Sequence, residues 1–288
     1  MRVLVTGATG QVGTEAARVL AASGHAVSTF DRATLDLADP ASIVRVLRAT
    51  RPEVVVNAGA YTAVDRAESE PAAAHAVNAE APGVIAAECR ALDALLLHLS
   101  TDYVFDGRKP APYVETDAVG PLNEYGRGKL AGERAIAQSG CDHLILRTSW
   151  VYGPHGANFL RTMLDAARKR DELRVVDDQR GAPTSSVRLG RLVADLLSKG
   201  RETLRAGSGL YHATATGATT WFGFAEAIFA GNPGAPRLVP IASSEWPTPA
   251  RRPANSQLDS GKLDSTFHLG LGDWREGLAE VRTLLAGA

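Results

Sequence analysis

Tyr125 and Lys129 stand four residues apart in the run Tyr125-Gly126-Arg127-Gly128-Lys129. On a helix, that spacing puts both side chains on one face. A free phenol titrates near 10 and is a poor proton donor at neutral pH. An ammonium beside it stabilises the phenolate and lowers its pKa toward the working range. The pair is therefore a candidate general acid with its tuner. A hydroxyl at the end of a preceding strand would complete the set by hydrogen-bonding a substrate oxygen. Ser100 and Thr101 stand at such a place. On an amphipathic surface helix the same Tyr and Lys would be ordinary solvated side chains, so the pair needs a second signal.

That signal is Gly7-Ala8-Thr9-Gly10-Gln11-Val12-Gly13. Glycines allow a tight turn and let main-chain N–H groups approach a pyrophosphate at a helix N-terminus. No Lys-Ser/Thr follows the last glycine, which excludes the phosphate loop of nucleoside triphosphatases. The dinucleotide pattern then asks for an acid about 20 residues on, to accept from the adenosine ribose hydroxyls. Asp31 stands there and favours NAD. Arg32 beside it suits the 2′-phosphate of NADP, although an exposed loop cation would look the same. Both cofactors therefore stay open. Asn57-Ala58-Gly59-Ala60 offers small residues that let the chain pass close to a cofactor, or simply pack.

Elements must hold these residues in place. Short apolar runs predict strands over 3–6, 25–31, 53–57, 95–100 and 143–148. Between them, helices are predicted over 14–23, 40–50, 71–90 and 123–138, with Asp39 and Pro40 as cap and first residue of the second. Strands that are apolar throughout are buried on both faces, as in a parallel sheet covered by helices. The expected fold is α/β, a doubly wound parallel (Rossmann) sheet. Beyond Trp150 the pattern loosens: helices over 158–170 and 187–198, a sixth strand at 173–176 and a short strand at 210–213 are expected. The reading is a dinucleotide-binding domain over 1–149 plus about 186–220. A smaller discontinuous substrate lobe would take about 150–185 plus 221–288.

Composition narrows the partners. The chain balances 31 Lys+Arg against 32 Asp+Glu, without the basic excess expected of a nucleic-acid binder. No apolar run approaches the roughly 18 residues of a membrane span. The first residues enter a strand at once, unlike a signal peptide. Cys89 and Cys141 form no disulfide framework and no CxxC knuckle. A cytoplasmic protein is expected, with no nucleic-acid or membrane partner. His75, His98 and His212 fall in apolar surroundings and read as packed side chains rather than metal ligands.

In residues 7–13, 57–60 and the Tyr125-x-x-x-Lys129 pair, the chain resembles the extended short-chain dehydrogenase/reductase family. Within it, residues 62–68, 100–107, 147–152, 178–184 and 247–256 resemble the dTDP-4-dehydrorhamnose reductase branch, and they span both expected lobes. The resemblance implies NADPH- or NADH-dependent reduction of the C4 ketone of dTDP-4-dehydro-β-L-rhamnose to dTDP-L-rhamnose. Tyr125 would protonate the developing alkoxide, Lys129 would hold the nicotinamide ribose, and Thr101 would hydrogen-bond the carbonyl oxygen. Gly7, Gly10, Gln11, Val12, Gly13, Asp31, Asp36, Leu37, Ala60, Tyr61 and Thr62 would line the cofactor. Asp102 and Trp150 would face the sugar, although a Trp after a strand is also a common core residue. The Arg251-Arg252 pair suits a diphosphate, and a solvated turn would look identical.

Rival readings share the fold. One is a reductase of another dTDP-4-keto-6-deoxyhexose from secondary metabolism. Another is a non-catalytic regulatory subunit, against which Thr101, Tyr125 and Lys129 all stand. A dehydratase would want an acidic pair where Thr101-Asp102-Tyr103 supplies one acid. Some relatives dimerise through Mg²⁺ held by acidic residues. Here Glu15 matches one such position, Ser185-Ser186-Val187-Arg188 supplies no acid at the second, and nothing acidic follows Glu280 toward Gly287-Ala288. The expectation is no bound metal, and a monomer or metal-independent homodimer.

Overall fold

The computed structural model describes residues 1–287. Its strands are β1 (Arg2–Thr6), β2 (Ala26–Phe30), β3 (Val54–Asn57), β4 (Leu95–Thr101), β5 (His143–Thr148), β6 (Val151–Tyr152), β7 (Glu172–Val176), β8 (Arg180–Gly181), β9 (Thr184–Ser185), β10 (Gly209–His212), β11 (Thr219–Thr220) and β12 (Arg237–Ile241). The helices are α1 (Gln11–Ala22), α2 (Pro40–Thr50), α3 (Val64–Ala67), α4 (Pro71–His75), α5 (Ala81–Ala91), α6 (Glu124–Ser139), α7 (Phe159–Ala167), α8 (Ser186–Ser198), α9 (Arg201–Ala206), α10 (Trp221–Phe229), α11 (Gly261–Phe267) and α12 (Trp274–Ala286).

The centre is a six-stranded sheet in the order β10-β5-β4-β3-β1-β2, parallel at every pairing. The doubly wound expectation holds. Alternate residues of each buried strand feed opposite faces. Val3, Val5, Val54, Val56, Leu95 and Leu97 join one core, which α1 and α8 close. Leu4, Val55, Leu96 and Ile145 join the other, which α2 and α5 close. From β1 the chain goes first to one side, to β2, and then to the other, to β3. Such a reversal opens a crevice beyond the carboxyl ends of the strands, where ligands bind in open α/β sheets.

Two expectations change. β2 is not buried throughout: it is the sheet edge, and its burial alternates or lapses along its length. The helix expected over 71–90 is broken into α4, a π-helical turn at Ala76–Glu80 and α5. Pro82 has no N–H to offer the carbonyl of Asn78, so regular α-helical bonding fails there. The strands expected at 173–176 and 210–213 both form: β7 pairs with β12 outside the main sheet, and β10 takes the sixth place in it.

A third core gathers Tyr152, Leu173, Val175, Phe224, Phe229, Trp274 and Leu278 under α7, α10 and α12. Not all of the C-terminal stretch belongs to it. Leu263, Phe267 and Leu271, around α11, pack into the first core, with Phe267 against Tyr211 of β10. No helix among the described residues is long and apolar enough to cross a membrane.

Candidate active site

A cleft of about 780 Å³ opens at the carboxyl ends of β1, β3, β4 and β5. Of the cofactor, catalytic and substrate residues expected from sequence, all line it except Gly13, Arg251 and Arg252.

The glycine turn is built for close approach. Gly7 has φ +62°, and a Cβ on it would sit 2.6 Å from the Cα of Gly59. Only glycine combines that backbone with that contact. A Cβ on Gly13 would sit 2.1 Å from the carbonyl oxygen of Gly7, so Gly13 seats α1 against the turn rather than lining the cleft. No side chain caps α1, and its first turn carries no acid. Its end N–H groups are left for an anion, which the helix dipole also favours. Gln11 lines the cleft beside this turn. These features fit a dinucleotide pyrophosphate.

Asp31 closes a local turn: its Oδ1 accepts from Thr34 Oγ1 at 2.7 Å and from the N–H groups of Ala33 and Thr34. The Thr34 hydroxyl, followed by the Thr34 N–H, holds its carboxyl below the usual carboxylate range. Arg32, Asp36 and Leu37 line the same end of the cleft. Ala60, Tyr61 and Thr62 are fixed from an unexpected quarter. Asn78, in the π-helical turn, accepts from Tyr61 N at 2.9 Å and donates to Tyr61 O at 3.0 Å. Nothing in the local sequence marks Asn78, because its partner lies 17 residues away.

The catalytic candidates come from β4 and α6. Asn123 caps α6, its Oδ1 accepting from Gly126 N at 2.8 Å, and the helix places Tyr125 and Lys129 on the cleft. The two hydroxyls at the end of β4 separate into different roles. Ser100 donates to Glu133 at 2.5 Å, and Glu133 is paired with Arg147 in the core. Thr101 remains on the cleft, donating to Asp102 Oδ1 at 3.0 Å. Burial pushes the Tyr125 phenol up to about 12, against the pull of the Thr101 hydroxyl. The lowering expected from Lys129 is absent. The Lys129 amine is bonded to β4: its Nζ donates to Leu99 O at 2.6 Å and lies 3.1 Å from His98 Nε2. Burial pulls Lys129 down to about 8, with Glu133 working the other way.

Asp102 is buried, and its Oδ2 has no partner. Burial pushes its carboxyl up to about 6, opposed by the hydroxyls of Ser256 and Thr101. Trp150 settles as a cleft wall. It takes φ +49° and stacks on Trp221 with ring centroids 3.6 Å apart and planes 6° apart. Gly181 makes room, since a Cβ there would lie 2.5 Å from the indole. Trp221 itself was not anticipated as a site residue; it opens α10, in the 221–288 stretch expected to belong to the substrate lobe. Arg252 is not available to a diphosphate here. Its Nη2 donates to Asp65 Oδ2 at 2.8 Å and its Nη1 to Thr248 and Ala250, which ties the 247–253 segment to α3. The Arg251 side chain is exposed, while its carbonyl accepts from Asn123 Nδ2.

The family model described as RmlD substrate binding domain matches residues 1–286. A dTDP-4-dehydrorhamnose reductase of Burkholderia thailandensis is 49% identical over 298 residues, covering 99% of this chain and 100% of its own length. Among solved structures, a dTDP-4-dehydrorhamnose reductase of Clostridium acetobutylicum matches with a TM-score of 0.93 at 36% identity, over 99% of this chain and 100% of that one. One from Bacillus anthracis, solved in complex with NADP, matches with 0.93 at 33% identity, over 98% and 99%. Similarity of that extent, end to end, makes this chain a member of the RmlD substrate binding domain family.

Proposed function

We propose that this chain is an NAD(P)H-dependent dTDP-4-dehydrorhamnose reductase, taking the C4 ketone of dTDP-4-dehydro-β-L-rhamnose to dTDP-L-rhamnose. The observation that carries the reading is the convergence of Thr101, Asp102, Tyr125 and Lys129 on one cleft with an uncapped glycine turn. The end-to-end match to curated reductases supports the substrate class.

When bound, the reduced nicotinamide supplies the hydride. Everything else falls to side chains. The α1 N-terminus and the glycine turn take the pyrophosphate. The free oxygen of Asp31 accepts from adenosine ribose hydroxyls, and Arg32 meets a 2′-phosphate. Thr101 turns its hydroxyl from Asp102 to the ketone oxygen and stabilises the charge that develops there. Tyr125 gives that oxygen its phenolic proton and recovers one from solvent. A phenol with a high pKa arrives protonated, as an acid must. Lys129 holds the nicotinamide ribose, which requires it to leave Leu99 O. Trp150, backed by Trp221, forms an apolar wall for the deoxysugar.

The reading makes the enzyme a monomer or a dimer that needs no metal. Substrate and cofactor are both charged and cannot cross a bilayer unaided, which puts the reaction in the cytoplasm. The test is incubation with dTDP-4-dehydrorhamnose, generated in situ, and each reduced nicotinamide separately, with the product identified by NMR. We expect cofactor oxidation and dTDP-L-rhamnose. A different C4 stereochemistry would favour another dTDP-4-ketosugar reductase, and no oxidation above background in folded protein would sink the reading altogether.

A further inference from the structure

Behind Lys129 runs a buried row of polar side chains across three strands. Thr6 on β1, Asn57 on β3 and His98 on β4 occupy matching register positions, Thr6 opposite Asn57 and Asn57 opposite His98. All three are almost completely buried. Thr6 Oγ1 donates to Asn57 Oδ1 at 2.6 Å and accepts from Gly59 N at 3.2 Å. Asn57 Nδ2 lies 2.9 Å from His98 Nδ1, and His98 Nε2 lies 3.1 Å from Lys129 Nζ. Three strands of a core sheet rarely give a row of positions to polar groups without a use for them, since each unpaired group would be costly.

The row has a direction. A separation of 2.6 Å is ordinary for O–H···O and short for N–H···O, so the Asn57 oxygen, not its nitrogen, faces Thr6. Reversing the amide would also leave the Thr6 hydroxyl proton without an acceptor among the described residues. The Asn57 nitrogen can only donate, so His98 Nδ1 must accept. A neutral imidazole carries one N–H, which is then on Nε2. An imidazolium is excluded, because its Nδ1–H would confront the Asn57 N–H. Burial keeps His98 well below the usual histidine range. Nε2–H therefore points at Lys129 Nζ. Only an unprotonated amine has a lone pair to receive it.

We propose that His98 is a positioning residue for Lys129, locked by Asn57 and Thr6 as the Nε2–H tautomer, so that it docks the neutral amine and releases the ammonium into the cleft. This rests on the reading of Lys129 as the ribose-holding residue. It accounts for the one feature of the site that the Tyr-Lys spacing alone does not explain, an amine bonded to β4. The charged and titratable groups around the amine are His98 on β4, Tyr125 and Glu133 on α6, and Arg147 on β5, which is paired with Glu133. His143 on β5 acts on His98, and Asp102 shares the cleft. Protonation is then coupled to cofactor engagement. A Nε2–H donor favours the amine, so removing it raises the pH at which Lys129 loses its proton.

The tautomer is read directly on the unliganded protein, by long-range proton–nitrogen correlation of ¹⁵N-labelled histidines, with His98 assigned from its loss in His98→Gln. We expect the Nε2–H pattern; Nδ1–H would overturn the proposal. The coupling is read by titrating NADPH binding against pH in wild type and His98→Asn, whose amide reaches the Nδ1 position but not Nζ. The alkaline midpoint should move up by about half to one pH unit, the equivalent of one hydrogen bond. Weaker binding at every pH with an unmoved midpoint would mean a structural role only and overturns it. If His98→Asn does not fold, the wild-type tautomer still decides. Both readouts are independent of turnover, so a failed reductase assay would not be mistaken for a failed relay.

Discussion

At the scale of the residue, Tyr125 is the sharpest test. Its phenol is raised above its ordinary value at the half-buried cleft wall, and the general acid it would supply is worth ~10²–10⁴-fold. Tyr125→Phe should lose that much kcat while NADPH affinity stays close to wild type; retained kcat would remove Tyr125 from the role. Asp31→Ala should weaken NADH more than NADPH. The carboxylate accepts from ribose hydroxyls in one and repels a phosphate in the other, so equal losses in a binding titration would mean that it points elsewhere. Residue types and spacing made these groups legible. Protonation states were not, because they depend on neighbours from other strands. The four-residue spacing puts Lys129 and Tyr125 on one helix face, but sheet register sets His98 against the Lys129 amine. Arg252 carries the same lesson: nothing local reveals that Asp65, 187 residues away, already holds it.

At the scale of the element, the central strands and α1, α2 and α6 follow from apolar runs, caps and glycines that act over a few residues. The π-helical turn does not, although Pro82 was visible. A proline says that a bond is missing, not how the chain accommodates it, and the accommodation depends on α6. There Gly132 lies against the freed carbonyl, so that a Cβ would stand 2.3 Å from Asn78 O. The turn aims Asn78 at both polar groups of Tyr61, in the segment read as cofactor-lining. Asn78→Ala strands both, at a cost of about 1–3 kcal/mol for each buried group left unpaired. We expect a lower Tm and weaker NADPH binding, read by thermal unfolding and titration. Asn78→Asp should rescue neither, since its second oxygen faces another acceptor, the Tyr61 carbonyl. Full binding in either variant would show that the segment holds itself.

At the scale of the whole molecule, the doubly wound half was legible because its pattern repeats, while the rest interleaves. Short strands pair across long gaps, β7 with β12 and β8 with β11, and α11 returns to the first core. Such pairings depend on contacts that no local period encodes. The same folding decides what becomes of the acids considered for a shared metal. Glu15 is buried and accepts from Arg18 Nη2 at 2.8 Å, with His155 Nε2 at 3.1 Å. Gly190 packs so closely that a Cβ there would lie 2.7 Å from Glu15 Cβ. Glu280 is bound by Arg188 and Arg191. A hard divalent cation needs several oxygen ligands, and here it would have to displace arginines to gain two. No cluster of three or more His, Cys, Asp or Glu groups suited to a metal occurs among the described residues. Mg²⁺ should therefore leave the mass in solution unchanged. Sedimentation velocity in EDTA and in millimolar Mg²⁺ should give one and the same species. A dimer that forms only with the metal, and weakens on Glu15→Ala, would mean that these arginines yield to it.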